Sequence, residues 1–176
     1  MELGNLGLRH TWRITCRRKG AVVWIVEKPN LIMNEGLDEI LNKFYGGTNY
    51  TAALKIGLVN NTGFSSFTSV DTALQISTDG SKTNAWREFI DYKESVRQDF
   101  VAGASSGQSL DNTLSPASFE INMAGVIQGA FMVATDDVKG GTTGVLMSGV
   151  SFDNGDQNVQ VDDVLGVDMV ATASSV

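Results

Sequence analysis

Between residues 9 and 17 the chain alternates with a period of two. His10, Trp12, Ile14 and Cys16 fall on one side, and Arg9, Thr11, Arg13, Thr15 and Arg17 on the other. A β-strand sends successive side chains to opposite faces, so this run predicts a strand with one apolar and one basic face. Arg18-Lys19-Gly20 then supplies a turn, with glycine available for a positive φ, and residues 21–27 return as Ala-Val-Val-Trp-Ile-Val-Glu, rich in β-branched and aromatic side chains. Together they predict a β-hairpin at residues 1–28, expected as a basic N-terminal arm ahead of a body at residues 29–176.

The body also has mainly β texture. Pro29 lacks an amide donor and ends the second strand. Asn34 is placed to cap one short helix near 34–45, with Glu35 and Asp38 at its positive end, and Leu37, Ile40, Leu41 and Phe44 recur at helical spacing. Gly36 weakens the first turn by up to about 1 kcal/mol relative to alanine, and Gly46-Gly47 stops the helix. Strands are expected at 52–59, 86–92, 94–101, 117–123, 126–134, 143–151 and 157–172, separated by Gly/Ser/Asn/Asp clusters at 103–112, 136–142 and 153–156. The polar stretch 60–85 exceeds ordinary loop length and is expected as a surface excursion. Many short strands with turn signals and no βαβ alternation predict a mainly all-β fold. The expected architecture is an antiparallel β-sandwich or jelly-roll-like barrel, carrying the hairpin arm and the one helix.

Composition narrows the chemistry. A single cysteine, Cys16, excludes an internal disulfide and fits a reducing compartment, and no apolar run approaches the roughly 18 residues that span a bilayer. The one histidine, His10, has no second histidine with which to form a metal pair. The turn-like runs 153–156 and Asp136-Asp137 lack the ligand spacing of a calcium loop, and Gly46-Gly47 and Gly140-Gly141 lack the Lys-Ser/Thr of a phosphate loop. No cofactor or metal is expected. A hydrolase would need carboxylates brought together from distant strands, such as Glu88 or Glu120 with Asp91.

Charge is unevenly spread. Residues 1–28 hold six cations against Glu2 and Glu27, a net of +4, so with a whole-chain charge of −7 the remainder carries −11. A basic segment on an acidic body suggests docking to an acidic partner, the alternative being an ordinary solvated hairpin face, while the body repels nucleic acid. The candidate docking residues are Arg9, Arg13, Arg17, Arg18 and Lys19, with Trp12 and Trp24 as anchors; the alternative for both tryptophans is that they plug the core.

Several segments carry a family likeness in order along the chain. They are residues 30–41 (Asn-Leu-Ile-Met-Asn-Glu-Gly-Leu-Asp-Glu-Ile-Leu), 52–61 (Ala-Ala-Leu-Lys-Ile-Gly-Leu-Val-Asn-Asn), Trp86-Arg87-Glu88-Phe89 with Asp91-Tyr92, Val96-Arg97-Gln98, 117–122, 127–131 and 139–144. Across most of residues 30–165 this pattern resembles small virion structural proteins of tailed, especially short-tailed, bacteriophages. The resemblance implies a non-enzymatic capsid decoration or cement protein on the virion surface, made in the host cytoplasm. Its implied partners are the major capsid protein and further copies of itself as a dimer or trimer, with neither nucleic acid nor membrane. The second virion reading is a tail or head fibre or adaptor protein, a host-surface binder whose polar loops at 60–85 and 103–115 meet a glycan or a fibre. Removal of residues 1–28 is expected to abolish particle binding and leave a folded sandwich.

Overall fold

The computed structural model describes residues 6–46, 53–77, 86–152 and 155–175. It is mainly β, with two sheets packed face to face and one helix. The five-stranded sheet holds β1 (Leu6–Arg18), β2 (Ala21–Pro29), β8 (Ser109–Asp111), β9 (Ala117–Glu120) and β13 (Val164–Ser175) in the order β2-β1-β13-β8, with β9 beside β8 on the same edge of β13. The larger sheet runs β3 (Leu31–Ile32), β11 (Val145–Ser151), β10 (Gly125–Ala134), β4 (Leu54–Asn60), β6 (Trp86–Phe89) and β5 (Ile76–Ser77). Two short strands, β7 (Gln98–Asp99) and β12 (Gln157–Val159), extend it from β4 and β10. Pairing is antiparallel except between β5 and β6.

The hairpin is not a detached arm. β1 pairs with β13 from Leu6↔Ser175 to Arg17↔Val164, which makes it an interior strand of its sheet. Its apolar face, Trp12, Ile14 and Cys16, is fully buried against Ile56, Leu58, Ala130 and Met132 of the facing sheet. Removing residues 1–28 would strip one wall from the core, so a folded remainder is not expected. The boundary at 28/29 divides one packed unit.

The larger sheet is buried on both faces, which explains its weak alternation: β4, β10 and β11 read as nearly continuous apolar runs. Its second face forms another core from Met33, Val59, Phe64, Phe67, Ile76, Trp86, Phe131, Val133 and Leu146. The segment after β4 is therefore not a surface excursion up to residue 77. Phe64 and Phe67 stack edge-to-face with Trp86, at centroid distances of 6.2 and 5.3 Å, and a 3-10 turn at Ala73–Gln75 leads into β5. Residues 78–85 lie outside the described segments.

The helix α1 spans Asn34–Tyr45, as the spacing predicts, but its N-cap is Met33 and makes no side-chain cap bond. Glu35 serves instead as a cross-link, accepting from the amides of Leu146 (2.8 Å) and Ala73 (3.2 Å). Gly36 has a positive role here. A Cβ at this position would collide with the Met147 carbonyl, so glycine lets the helix seat directly on β11. Ile40 packs on the core, whereas Leu37 and Leu41 are exposed; the Phe44 side chain and Gly47 lie outside the described residues.

Other expectations are also revised. The run 157–172 is two strands, because Asp163 closes a turn at Gln160 (amide to Oδ2, 2.8 Å). Residues 94–101 yield only β7. The cluster 103–112 contains β8, held by the buried Asn112, whose Oδ1 accepts from the Met169 amide (2.7 Å) while its Nδ2 donates to the Val167 carbonyl (3.1 Å).

Candidate interaction surface

The outer face of the five-stranded sheet is built by the alternation of β1. With one side of that strand committed to the core, Arg9, Thr11, Arg13, Thr15 and Arg17 must point outward, and all but the half-buried Thr15 are exposed. On β13 their register partners are Thr172, Val170, Asp168, Gly166 and Val164, and on β2 Arg13, Thr15 and Arg17 face Glu27, Ile25 and Val22. Guanidinium groups thus recur every fourth residue along β1, flanked on the same face by exposed Val22, Ile25 and Val164 and by Glu27, Asp111 and Asp168.

The basic residues divide into two kinds. Arg9, Arg13, Arg17 and Lys19 are exposed and form no ion pair among the described residues. Arg18 turns inward and grips the buried Asp163 with both arms, Nε to Oδ1 at 2.7 Å and Nη2 to Oδ2 at 2.8 Å. The Arg18 hydrogen bonds hold the Asp163 carboxyl below the usual range. Arg18 therefore closes the sheet end rather than extending the basic row. Asp168 is half-buried beside Arg13; burial raises its carboxyl while the Arg13 charge pulls it back down.

The tryptophans also divide. Trp12 is a core residue at 0% exposure and cannot act as a surface anchor. Trp24 is half-buried, edge-to-face with Phe152 at 6.3 Å, and donates from Nε1 to the Asn158 carbonyl at 3.2 Å. Neither stands free on the basic face.

His10 borders an open cavity of about 590 Å³ lined by Leu8, Pro29, Asn30, Ile32 and Leu37. Burial lowers its pKa to about 4, so it is neutral at pH 7. The orientation of the Asn30 amide that satisfies its neighbours accepts from His10 Nδ1 (3.3 Å) and Trp12 Nε1 (2.9 Å), which ties the histidine to the hairpin. Cys16 is buried and donates to Asp163 Oδ2 at 3.7 Å; burial first, then the Asp163 charge, pushes its thiol up to about 12. That thiol is not a nucleophile at neutral pH.

Two of the carboxylates considered for hydrolysis, Glu88 and Glu120, are held in ion pairs. Glu88 is fully buried and held by Arg97, Nε to Oε1 at 3.0 Å and Nη2 to Oε2 at 2.8 Å. Burial pushes the Glu88 carboxyl up, and the Arg97 hydrogen bonds pull it down. Arg97, itself at 0% exposure, donates onward to the carbonyls of Asp136 (3.1 Å) and Gly141 (2.9 Å) and lies 5.1 Å above the Phe131 ring. Asp136 in turn accepts from the amides of Val138 and Thr143, both at 3.1 Å, so Asp136-Asp137 belongs to a locked turn. Glu120 pairs with Lys93, and Asp91 is half-buried, its carbonyl accepting from the Asn122 amide. Among the described residues no three His, Cys, Asp or Glu side chains stand together as a metal set.

Sequence periodicity finds the arginine row. It misses Asp168, Val22, Ile25 and Val164, which join that face only through cross-strand register. No family model matches the chain, and no curated protein or solved structure shows significant similarity to it.

Proposed function

We propose that this chain is a non-enzymatic structural protein of a tailed-bacteriophage virion, a decoration or cement protein that docks on the outside of the major capsid shell. The observation that carries this reading is the row of Arg9, Arg13 and Arg17 along β1, three exposed cations without ion pairs among the described residues, set among Glu27, Asp111 and Asp168 of the neighbouring strands on a body that is otherwise acidic. Unpaired arginines of this kind attract acidic groups of a partner, and the attraction is screened by salt. The family resemblance along residues 30–165 supports the particle as the setting. A sandwich with the buried Arg97–Glu88 ion pair in its core suits a part that must bridge shell subunits under load, where many modest contacts add together. The fibre or adaptor alternative loses part of its basis, because the polar segment following β4 is anchored in the second core through Phe64, Phe67 and Ile76.

The test is binding of the purified chain to purified capsid shells that lack it. Wild type is expected to bind in low salt and to weaken as salt rises. The triple variant Arg9→Ala, Arg13→Ala, Arg17→Ala is expected to bind at least about tenfold more weakly while keeping a cooperative melting transition. Absence of wild-type binding in low salt overturns the proposal.

A further inference from the structure

The turn between β8 and β9 carries Leu114, which at 98% exposure is the barest large apolar side chain among the described residues. It is not a loose tip. Asp111 Oδ1 accepts from the Thr113 amide at 2.9 Å and from the Thr113 hydroxyl, and the Ser115 amide donates to the Asn112 carbonyl at 2.9 Å. Asn112 is itself buried and pinned to β13. The Gly103 amide donates to the Asp111 carbonyl at 2.7 Å, which sets exposed Val101 two residues along from the same turn. A leucine fixed on a braced turn has little ordering left to lose on docking.

The cavity beside His10 is the matching feature. It measures about 590 Å³ and is walled by Leu8, Pro29, Ile32 and Leu37. His10 is neutral at pH 7 and ties its Nδ1 to the Asn30 amide, which also takes Trp12 Nε1. With apolar walls and its amide already engaged, the cavity suits an apolar side chain better than a ligand recognised through several hydrogen bonds. Arg9 stands at its rim, exposed and without an ion pair among the described residues.

Turn and cavity are complementary in charge as well as in apolarity. Asp111 lies on the turn, its carboxyl held below the usual range by the Thr113 hydrogen bonds, and Arg9 lies at the rim. Position decides how they can meet. The sheet runs β2-β1-β13-β8, the turn belongs to the β8 and β9 edge, and Pro29 and Asn30 place the cavity at the other side, where β2 ends. The turn therefore cannot fill the cavity of its own molecule. Two copies related by a two-fold axis would have to bring all four surfaces into one interface, which opposite edges do not allow, so the contact joins unlike surfaces.

We propose that the Leu114 turn of one copy seats in the cavity formed by Leu8, Pro29, Ile32 and Leu37 of the next, with Asp111 facing Arg9, so that copies join head to tail. A contact of this kind repeats, closing into a ring or running on as a filament. Arg13 and Arg17 stay outside it. The inference goes beyond the virion reading and does not depend on it, since the isolated chain suffices for the test.

Sedimentation equilibrium of the full chain is expected to give a mean mass above that of one chain, rising with protein concentration. Leu114→Asp, at a position the fold leaves bare, is expected to weaken association at least about tenfold while keeping a cooperative melting transition. Leu37→Trp, which fills the cavity from the helix, is expected to do the same, and Leu37→Lys is the second variant should the larger side chain disturb folding. Each variant keeps one intact surface: Leu114→Asp chains still offer the cavity and Leu37→Trp chains still offer the turn. An equimolar mixture of the two is therefore expected to form a one-to-one pair and nothing larger. A wild-type mass of one chain at submillimolar concentration, a mass untouched by Leu114→Asp, or a mixture that stays monomeric or grows past two chains would each overturn the proposal. Monomeric wild type together with loss of shell binding in Leu114→Asp would assign the turn to the capsid instead.

Discussion

Arg97 and the arginines of β1 are the same side chain in opposite surroundings. Arg97 is sealed between the larger sheet and the turn at residues 136–141, and spends its fixed fork of donors on Glu88 and two backbone carbonyls. Arg9, Arg13 and Arg17 stand on the outer face of the smaller sheet without ion pairs among the described residues. A buried guanidinium is tolerable only when its charge and donors are met, so Arg97 belongs to folding. An exposed one costs little to leave unpaired and remains available to a partner. The difference shows that charge in this chain acquires its role from burial rather than from local sequence.

The most severe way to break the comparison is Arg97→Ala. It strands Glu88 in the core and is expected to cost about 3–5 kcal/mol, read as loss of the folded baseline in urea denaturation. If the variant melted like wild type, the buried ion pair would not be the structural lock described here. His10 gives the next largest effect. Its folded pKa of about 4 lies below the ordinary 6.5, so the unfolded chain binds a proton first as pH falls. Stability is therefore intact above about pH 6.5 and declines between there and about pH 4, by a total on the order of 3 kcal/mol. Chemical denaturation across this window checks it, with His10→Gln expected to flatten the slope.

Gly36→Ala sharpens the account of the helix seat. Propensity alone would make alanine better by up to about 1 kcal/mol, but its Cβ meets the Met147 carbonyl, and the net outcome is expected to be a loss of about 1–3 kcal/mol in melting experiments. At the small end, the triple alanine variant of Arg9, Arg13 and Arg17 is expected to change stability by no more than about 0.5 kcal/mol per site. The same variant carries the largest expected loss of shell binding, so folding and docking separate on one protein.

Much of the fold could be read from the residues because their surroundings were simple. β1 has one wet and one dry face, and its alternation reports both. The limits of α1 followed from helical spacing and from Gly46. Strands of the larger sheet were legible as apolar runs, but not the reason for them: nothing local in Phe64, Phe67 or Ile76 announces that they return to cover a second sheet face. Gly36 illustrates the same limit, since its value lies in Met147, far away in sequence. Of the candidate surface, the arginine row was legible by period, while the withdrawal of Arg18 into Asp163 and of Trp12 into the core depended on cross-strand register and on the facing sheet. The hairpin looked separable because its sequence is self-contained. Its pairing with β13 brings together the two ends of the chain, which no local pattern encodes.

The central claim concerns where this protein works, and counting it there is the most direct measurement. Quantification of its copies in purified virions, with their position in an averaged particle image, is predicted to give on the order of hundreds of copies arranged on shell symmetry axes, basic face inward. A few copies confined to the tail, or none in the particle, would contradict the account.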